Sequence, residues 1–311
     1  MTNQPSILCV GDIDLDYMYS VGSLPQSGGK VSGHYLGKFP GGMAANTAVG
    51  FARHGYSSRM LGSVGADPEG REALAALRAV GVDTSYCRIR KDAPTFTCLV
   101  LVDERGEKTL IRLGTPAFMP EISDLHGEAF AGIDHVHTNF GVPSVARETV
   151  RLAREKGASV SLDLEMADIP AEGWPMLDEV LAEVDVLFLN EASERSLPEV
   201  RAWQPPHLAV VTTLGKDGAR YRKGEVLVRV PGHPVEAVDT TGAGDCFASV
   251  FLSHYLEVEE PEECLRRANA AAALSTLTYG AQGGPPDREA VQRFLEDSSP
   301  VTNPPCGAGG Q

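Results

Sequence analysis

Two short stretches carry residues that could do chemistry. Near the start, ILCVGDIDLD places Asp12, Asp14 and Asp16 at every second position behind a short apolar run. An extended chain puts alternate side chains on one side, so the three carboxylates would form a row. Such a row suits the nucleophile and acid of a phosphatase, a metal site, or one acid that holds a substrate while the others face water. Near the end, DTTGAGDCF (239–247) leads from a strand-like approach into a strongly apolar helix. Gly242 and Gly244 allow a tight turn. The unpaired N–H groups of the first helical turn, at the positive end of the helix dipole, then make an anion site. Asp245 adds repulsion there unless its task is to accept a proton. Taken alone, the motif also reads as a plain glycine turn with Asp245 capping the helix. The dinucleotide fingerprint G-x-G-x-x-G fits poorly, because Phe247 holds its third glycine position, and no G-x-x-x-x-G-K-[ST] loop occurs in the chain.

The surrounding pattern indicates what must position these residues. SILCV, RMLGSVG, IDHVHTNF, ASVSLDL, VLFLN and LAVVTTLG are strand-like, and helix-like stretches separate most of them. Near-continuous apolar strands alternating with helices predict a doubly wound, mostly parallel sheet covered on both faces. PTFTCLVLVDERGEKTLIRLG interrupts the rhythm as a β-hairpin, with arms near 95–102 and 108–113 and a turn through Asp103–Gly106. Its first arm is apolar on both faces. That predicts a small sheet covering a pocket on one side and meeting a second subunit on the other. Segment 17–40 is expected to complete this β lid, whose other part spans about 93–115. One domain over 1–298 and a disordered tail over 299–311 follow.

Composition excludes several classes. A 42% hydrophobic, 22% charged chain of 311 residues can bury a sizeable core. Its net charge of −15 argues against nucleic-acid partners and anionic membrane surfaces. Cysteines 9, 87, 98, 246, 264 and 306 show no C-x-x-C spacing, so neither a zinc site nor a disulfide framework is indicated, and Cys9 and Cys98 read as small core residues. With no secretory signal and no membrane span in the pattern, a reduced cytoplasmic protein is expected. His135 and His137 could pair on a metal, but no third ligand is evident, and they read as core or pocket-edge residues.

DTTGAGD resembles the signature of the ribokinase-like (PfkB) carbohydrate kinases, and the resemblance runs from residue 7 to about 296. GGMAANTA (41–48) is similar to that family's first glycine-rich motif, VGADPEG (64–70) to its G-x-D-x-x-G turn, and VVTTLGKDGARY (210–221) to its strand and loop beside the nucleotide. Asn269 with the alanines after it, and Tyr279-Gly-Ala, fall where the family lines its adenine pocket. The resemblance implies a ribokinase-like fold with a β lid and transfer of the ATP γ-phosphoryl to a hydroxymethyl group of a monosaccharide or derivative. It assigns Asp245 as general base, the Gly242, Ala243 and Gly244 amides as anion hole, and Asp16, Gly41, Gly42 and Asn46 as sugar contacts. Asn190, Thr213, Gly215, Gly218 and Asn269 match nucleotide contacts.

Mg2+ is the implied metal. Where the family carries Asn-x-x-Glu, this chain reads LNEASERS, with Ser193 at the glutamate position. Glu191 and Glu194 flank it as substitutes, or the metal is held mostly by phosphates and water. Asp239 and Thr241 match a region where some relatives hold a monovalent cation through backbone oxygens, which makes K+ the candidate ion there. Lys30, Lys38, Arg90 and Arg112 lie in or near the lid segments and would favour an acidic or phosphorylated sugar if they faced the pocket. A nucleoside kinase walled by Phe96, Phe118 and Tyr35, and a catalytically silent sugar-binding protein, are the alternatives. A lid-to-lid homodimer is expected.

Overall fold

The computed structural model describes residues 4–104, 108–165, 174–197 and 205–297. An eight-stranded sheet forms its centre, in the order β14-β13-β12-β11-β10-β9-β1-β4. From β4 (Ser57–Leu61) through β1 (Ser6–Val10), β9 (His135–Asn139), β10 (Ser159–Asp163) and β11 (Val186–Asn190) to β12 (Ala209–Thr213), neighbouring strands run parallel. β13 (Ala219–Lys223) and β14 (Val226–Val230) add an antiparallel edge.

The period of two along β1 explains why both faces are covered. Ile7 and Cys9 enter one core with Phe51, Phe247 and Phe251, while Leu8 and Val10 enter another with Phe130, Val136 and Leu187. Helices α1 (Met43–Arg53), α6 (Ala243–Tyr255) and α7 (Pro261–Ser275) cover the first face, and α3 (Pro143–Glu155) and α4 (Trp174–Leu181) the second. The chain leaves β1 towards β4 on one side and later returns to β9 on the other. Such a reversal opens a crevice at the carboxyl ends of the strands, where doubly wound sheets bind ligands. Asp12 lies just past β1 and Asn139 ends β9.

A separate four-stranded sheet, in the order β3-β2-β7-β8, forms the lid from β2 (Asp14–Val21), β3 (Gly33–Gly41), β7 (Thr97–Val102) and β8 (Lys108–Leu113). The acid row therefore needs a correction. The three acids do not share one extended segment behind the apolar run: β1 stops at Val10, Asp12 lies between strands, and Asp14 opens the lid strand β2, with Asp16 paired to Phe39 and Cys98. The first lid segment accordingly runs from residue 14 to 41, not 17 to 40. Cys98 and Val100 pack inward with Met18 and Phe96, whereas Leu99 and Leu101 are half-buried and Ile111 and Leu113 are exposed. RMLGSVG is two strands, β4 and β5 (Ser63–Gly65), in different sheets. Gly62 separates them, where a side chain would overlap Ile13 and the Gly11 carbonyl. The expected disordered tail and part of the hairpin turn lie outside the described residues.

Candidate active site

Two cavities open above the carboxyl ends of the strands. The first, ≈ 410 Å³, is lined by Asp12, Asp14, Asp16, Asn46, Asp163, Glu165, Asn190 and Asp245, with Phe96, Cys98, Phe118 and Arg112 on its lid side. The second, ≈ 490 Å³, is lined by Gly215, Gly218, Phe247, Asn269, Ala272, Ala273 and Thr276. Thr213, Thr240 and Gly244 line both. The turn before α6 thus stands at the junction.

Asp12 organises the glycine-rich turn. Its carboxylate accepts from the Met43 amide at 3.0 Å, the Ala44 amide at 3.2 Å and the Asn139 side-chain amide at 2.7 Å. The two backbone donors are the start of α1, so Asp12 tethers that helix to the end of β1, and the Asn139 side chain ties in the end of β9. The turn itself needs glycine: Gly42 has φ 97° and a Cβ there would stand 2.6 Å from the Asp12 carbonyl oxygen. Gly41 lies flat against Asp14 and Asp16, where an added Cβ would overlap both carboxyls.

α1 then carries Asn46, whose side-chain amide donates to the Asp245 carboxylate at 2.8 Å. Asn46 Oδ1 and Asp14 Oδ1 are buried without a protein partner. Cys98 Sγ donates weakly to Asp14 at 3.6 Å. Burial holds the Asp14 carboxyl well above the usual carboxylate range, and the charges of Asp16 and Asp12 add to it. Asp16 is pushed up to about 6, mainly by burial and then by Asp239.

Asp245 occupies the first turn of α6 and is buried. Gly242 caps that helix with φ 73°, its missing side chain making room for Ala281. Gly244 faces open space. Burial, then the charge of Asp163, holds the Asp245 carboxyl well above its ordinary range; Asp12 and Glu165 act in the same direction, and the Asn46 hydrogen bond opposes them. A buried carboxyl beside bare helix-start amides can accept a proton from a group placed in the first cavity, while the amides face negative charge arriving from the second.

The model of the "pfkB family carbohydrate kinase" family matches residues 4–288. The chain belongs to that family. It is 32% identical over 301 residues to a ribokinase of Bacillus subtilis, an alignment covering 93% of this chain and 99% of that protein. It is also 32% identical over 299 residues to an ATP-dependent ribose-1-phosphate kinase of Halopiger xanaduensis, covering 94% and 98%. Among solved structures, the ribokinase of Arabidopsis thaliana complexed with ribose and ATP superposes with a TM-score of 0.80 at 26% identity, covering 95% of this chain and all of that one. The chain is a carbohydrate kinase of ribokinase-like fold.

The kinase brings most of the expected residues to these cavities. Thr213, Gly215, Gly218 and Asn269 line the second, with Asn269 fixed by bonds to the Val230 and Pro231 carbonyls at 3.2 and 3.1 Å. Asn190 lines the first and caps α5 (Glu191–Ser196) by accepting from the Ser193 amide at 2.7 Å. Glu191 and Glu194 do not line either cavity. Glu191 pairs with Arg195 one turn on, and Glu194 with Arg220 of β13, so their helix turns both towards arginines. Tyr279 stacks on Phe39 of the lid instead of reaching the second cavity.

Lys38 and Arg90 are paired with Glu72 and Asp124 and do not line the first cavity, whereas Arg112 lies on its wall. His135 and His137 are buried on β9 against Ser159 and Ser161, with burial lowering them to about 4 and about 3. Asp163, Glu165, Asn139 and Lys108 carried no sequence motif. The first three sit at or just past the carboxyl ends of parallel strands, which was the available signal.

Proposed function

We propose that this kinase transfers the γ-phosphoryl of ATP to a hydroxymethyl group of an uncharged monosaccharide, with Asp245 as general base and the Gly242, Ala243 and Gly244 amides as anion hole. The observation that carries the reading is the placing of Asp245: in the first turn of α6, held by Asn46, where the two cavities meet. A primary alcohol is far less acidic than a carboxylic acid, so Asp245 accepts its proton only as the new phosphorus–oxygen bond forms, a role typically worth about 10²–10⁴ in rate. Asp16 and Asn46 orient the sugar hydroxyls. Asp14, whose Oδ1 is buried and unpartnered, offers one further acceptor or, protonated, a donor.

The second cavity fits ATP: Ala272 and Ala273 leave a flat wall for a base, and Gly215 and Gly218 have φ 58° and 96°, turning the backbone close to where phosphates would pass. The donor set of the first cavity fits Mg2+, which prefers oxygen: Asp163, Glu165 and Asn190 line it and would hold the ion directly or through water. When bound, Mg2+ neutralises charge on the transferring phosphates.

Charge supports the acceptor class. Asp12, Asp14, Asp16, Asp163, Glu165 and Asp245 face one cavity with Arg112 as the cationic partner on its wall. A sugar acid or sugar phosphate would meet that excess of carboxyls. A nucleoside is the second reading, favoured by the edge-to-face pair of Phe96 and Phe118, 4.7 Å between centroids, on the same wall. The exposed Tyr35, Ile111 and Leu113 of the lid support the reading that a second copy covers its outer face.

The test is ADP formation with Mg-ATP across ketoses, aldoses, sugar acids, sugar phosphates and nucleosides, with Asp245→Asn alongside. An uncharged sugar should give the highest kcat/KM, and its signal should disappear in the variant. A preferred sugar acid or phosphate would overturn the acceptor class, and an active variant would overturn the base.

A further inference from the structure

Asp239 is the centre of the turn that leads into the anion hole. One of its oxygens accepts from the Thr241 amide at 2.9 Å and the Thr241 hydroxyl at 2.7 Å, and the other accepts from the Gly280 amide at 2.8 Å. Its side chain is only 1% exposed. A buried carboxylate needs a counter-charge, and the lid supplies it. Lys108, the first residue of β8, sets its ammonium on the Asp239 carboxylate and 2.9 Å from the Thr241 hydroxyl, with the Thr240 hydroxyl at 3.5 Å.

The same contacts bear on any cation that the side chains of this turn would hold. The side-chain oxygens of Asp239 and Thr241 are already engaged, and the lysine ammonium lies where a cation held by them would lie. A side-chain-held monovalent ion therefore does not fit this turn alongside Lys108.

We propose that Lys108 is the resident cation of the Asp239–Thr241 turn, a positioning residue that holds the Gly242–Gly244 amides in their phosphate-binding arrangement while the lid lies over the site. The inference rests on reading those amides as the anion hole. Its reach follows from topology. Thr241 directly precedes Gly242, so whatever fixes the threonine fixes the start of α6. Lys108 belongs to the lid sheet, so that fixing charge moves with the lid. Asp16, on the neighbouring lid strand, also lies within the field of both Lys108 and Asp239. An ammonium suits the task because it is a compact charge with three donors, and here the Asp239 and Thr241 side chains supply acceptors.

The experiment compares wild type, Lys108→Met and Lys108→Arg in potassium, sodium, ammonium and tetramethylammonium chloride at one ionic strength. It reads kcat, both KM values and the melting shift caused by Mg-ATP. Wild type should vary less than about twofold between salts. Lys108→Met should lose about 10–100-fold in kcat, the span of one charge-assisted hydrogen bond to a buried carboxylate, with a smaller change in the KM for ATP. Ammonium or potassium should restore part of that loss and tetramethylammonium none, while Lys108→Arg should stay within about tenfold of wild type.

A wild type whose rate collapses without potassium would overturn the proposal. So would Lys108→Met with unchanged kcat, or a loss that neither small cations nor arginine repair. If Lys108→Met does not fold, the salt response of wild type and the arginine variant decide. An active Asp245→Asn control would instead locate the failure in the base reading, and the salt dependence of the Mg-ATP melting shift would still judge Lys108.

Discussion

Replacing Asp245 by asparagine should make the kinase slower and more stable at once. Asparagine keeps the shape of the side chain and an oxygen that can accept from Asn46, now 2.8 Å from the carboxylate. The glycine amides, Asp12 and Asp16 are untouched. On the proposed reading of Asp245 as the base, what disappears is the proton acceptor, so kcat should fall about 10²–10⁴-fold, about 3–5 kcal/mol of transition-state stabilisation, with KM for either substrate changed little.

Stability moves the other way, and the sign follows from the raised pKa. Burial and the charges of Asp163, Asp12 and Glu165 hold the folded carboxyl above its unfolded value. Its ionised form therefore costs the folded state at neutral pH, about 1.4 kcal/mol for each pH unit between the two titrations. The neutral amide removes that cost, and in a chain of this size each kcal/mol raises Tm by roughly 2 °C. Steady-state ADP release and calorimetry on the same samples give both numbers. A kcat within tenfold of wild type would remove Asp245 from the chemistry. A lost rate accompanied by a lower Tm would mean that the side chain is holding the fold together.

Three further perturbations follow from named contacts. Asp14→Asn should stabilise the protein at pH 7.5, because Asp14 is also raised by burial and its acidic neighbours; the gain should shrink as pH falls towards the ordinary aspartate value of about 3.9 and vanish below it, where wild-type Asp14 is protonated in both states. Urea midpoints across that range measure it, and a variant less stable at every pH would contradict the account. Gly42→Ala puts a side chain at φ 97° and 2.6 Å from the Asp12 carbonyl oxygen, and should cost at least about 2 kcal/mol in urea unfolding; a neutral result would mean the turn is not as rigid as its packing. Arg288→Ala removes donors to the His54 carbonyl at 3.1 Å, the Tyr56 hydroxyl at 3.0 Å and the Glu257 carboxylate at 2.6 Å. It should lower stability by about 1–2 kcal/mol with kcat unchanged, and a kinetic effect would show that this cluster reaches the site.

The residues legible in the sequence were those whose roles are set by their immediate neighbours. SILCV is apolar on both faces and is buried on both; GGMAAN needs glycine because its backbone touches Asp12; GAGD starts a helix where its glycines say it should. What the sequence hid was set across the fold. Asp163 ends SVSLD and looks like the polar end of an apolar strand until β11 and the start of α6 are placed beside it. Lys108 lies 131 residues from Asp239 and follows a hairpin turn, where lysines are ordinary. Glu191 and Glu194 flank Ser193 close behind Asn190 in sequence, but such nearness says nothing about which way a helix turns its side chains, and the arginine on β13 that engages Glu194 is 26 residues away. Asp16 was singled out in the sequence and lines the first cavity, yet the break between β1 and β2 that moves it into the lid is a change of sheet, not of composition.

If Asp14 and Asp16 hold the acceptor as proposed, that change of sheet gives the acceptor's grip and the door the same hinge. Asp14 and Asp16 ride on β2, and Cys98 pairs beside them on β7, so a sugar that draws on these groups pulls directly on the cover above it. Free energy released on seating the sugar is then available to shut the site and exclude water before phosphoryl transfer. An acceptor trimmed of a hydroxyl that meets Asp16 would accordingly lose turnover as well as affinity, and nucleotide left waiting without a sugar would sit under an open door and be hydrolysed slowly.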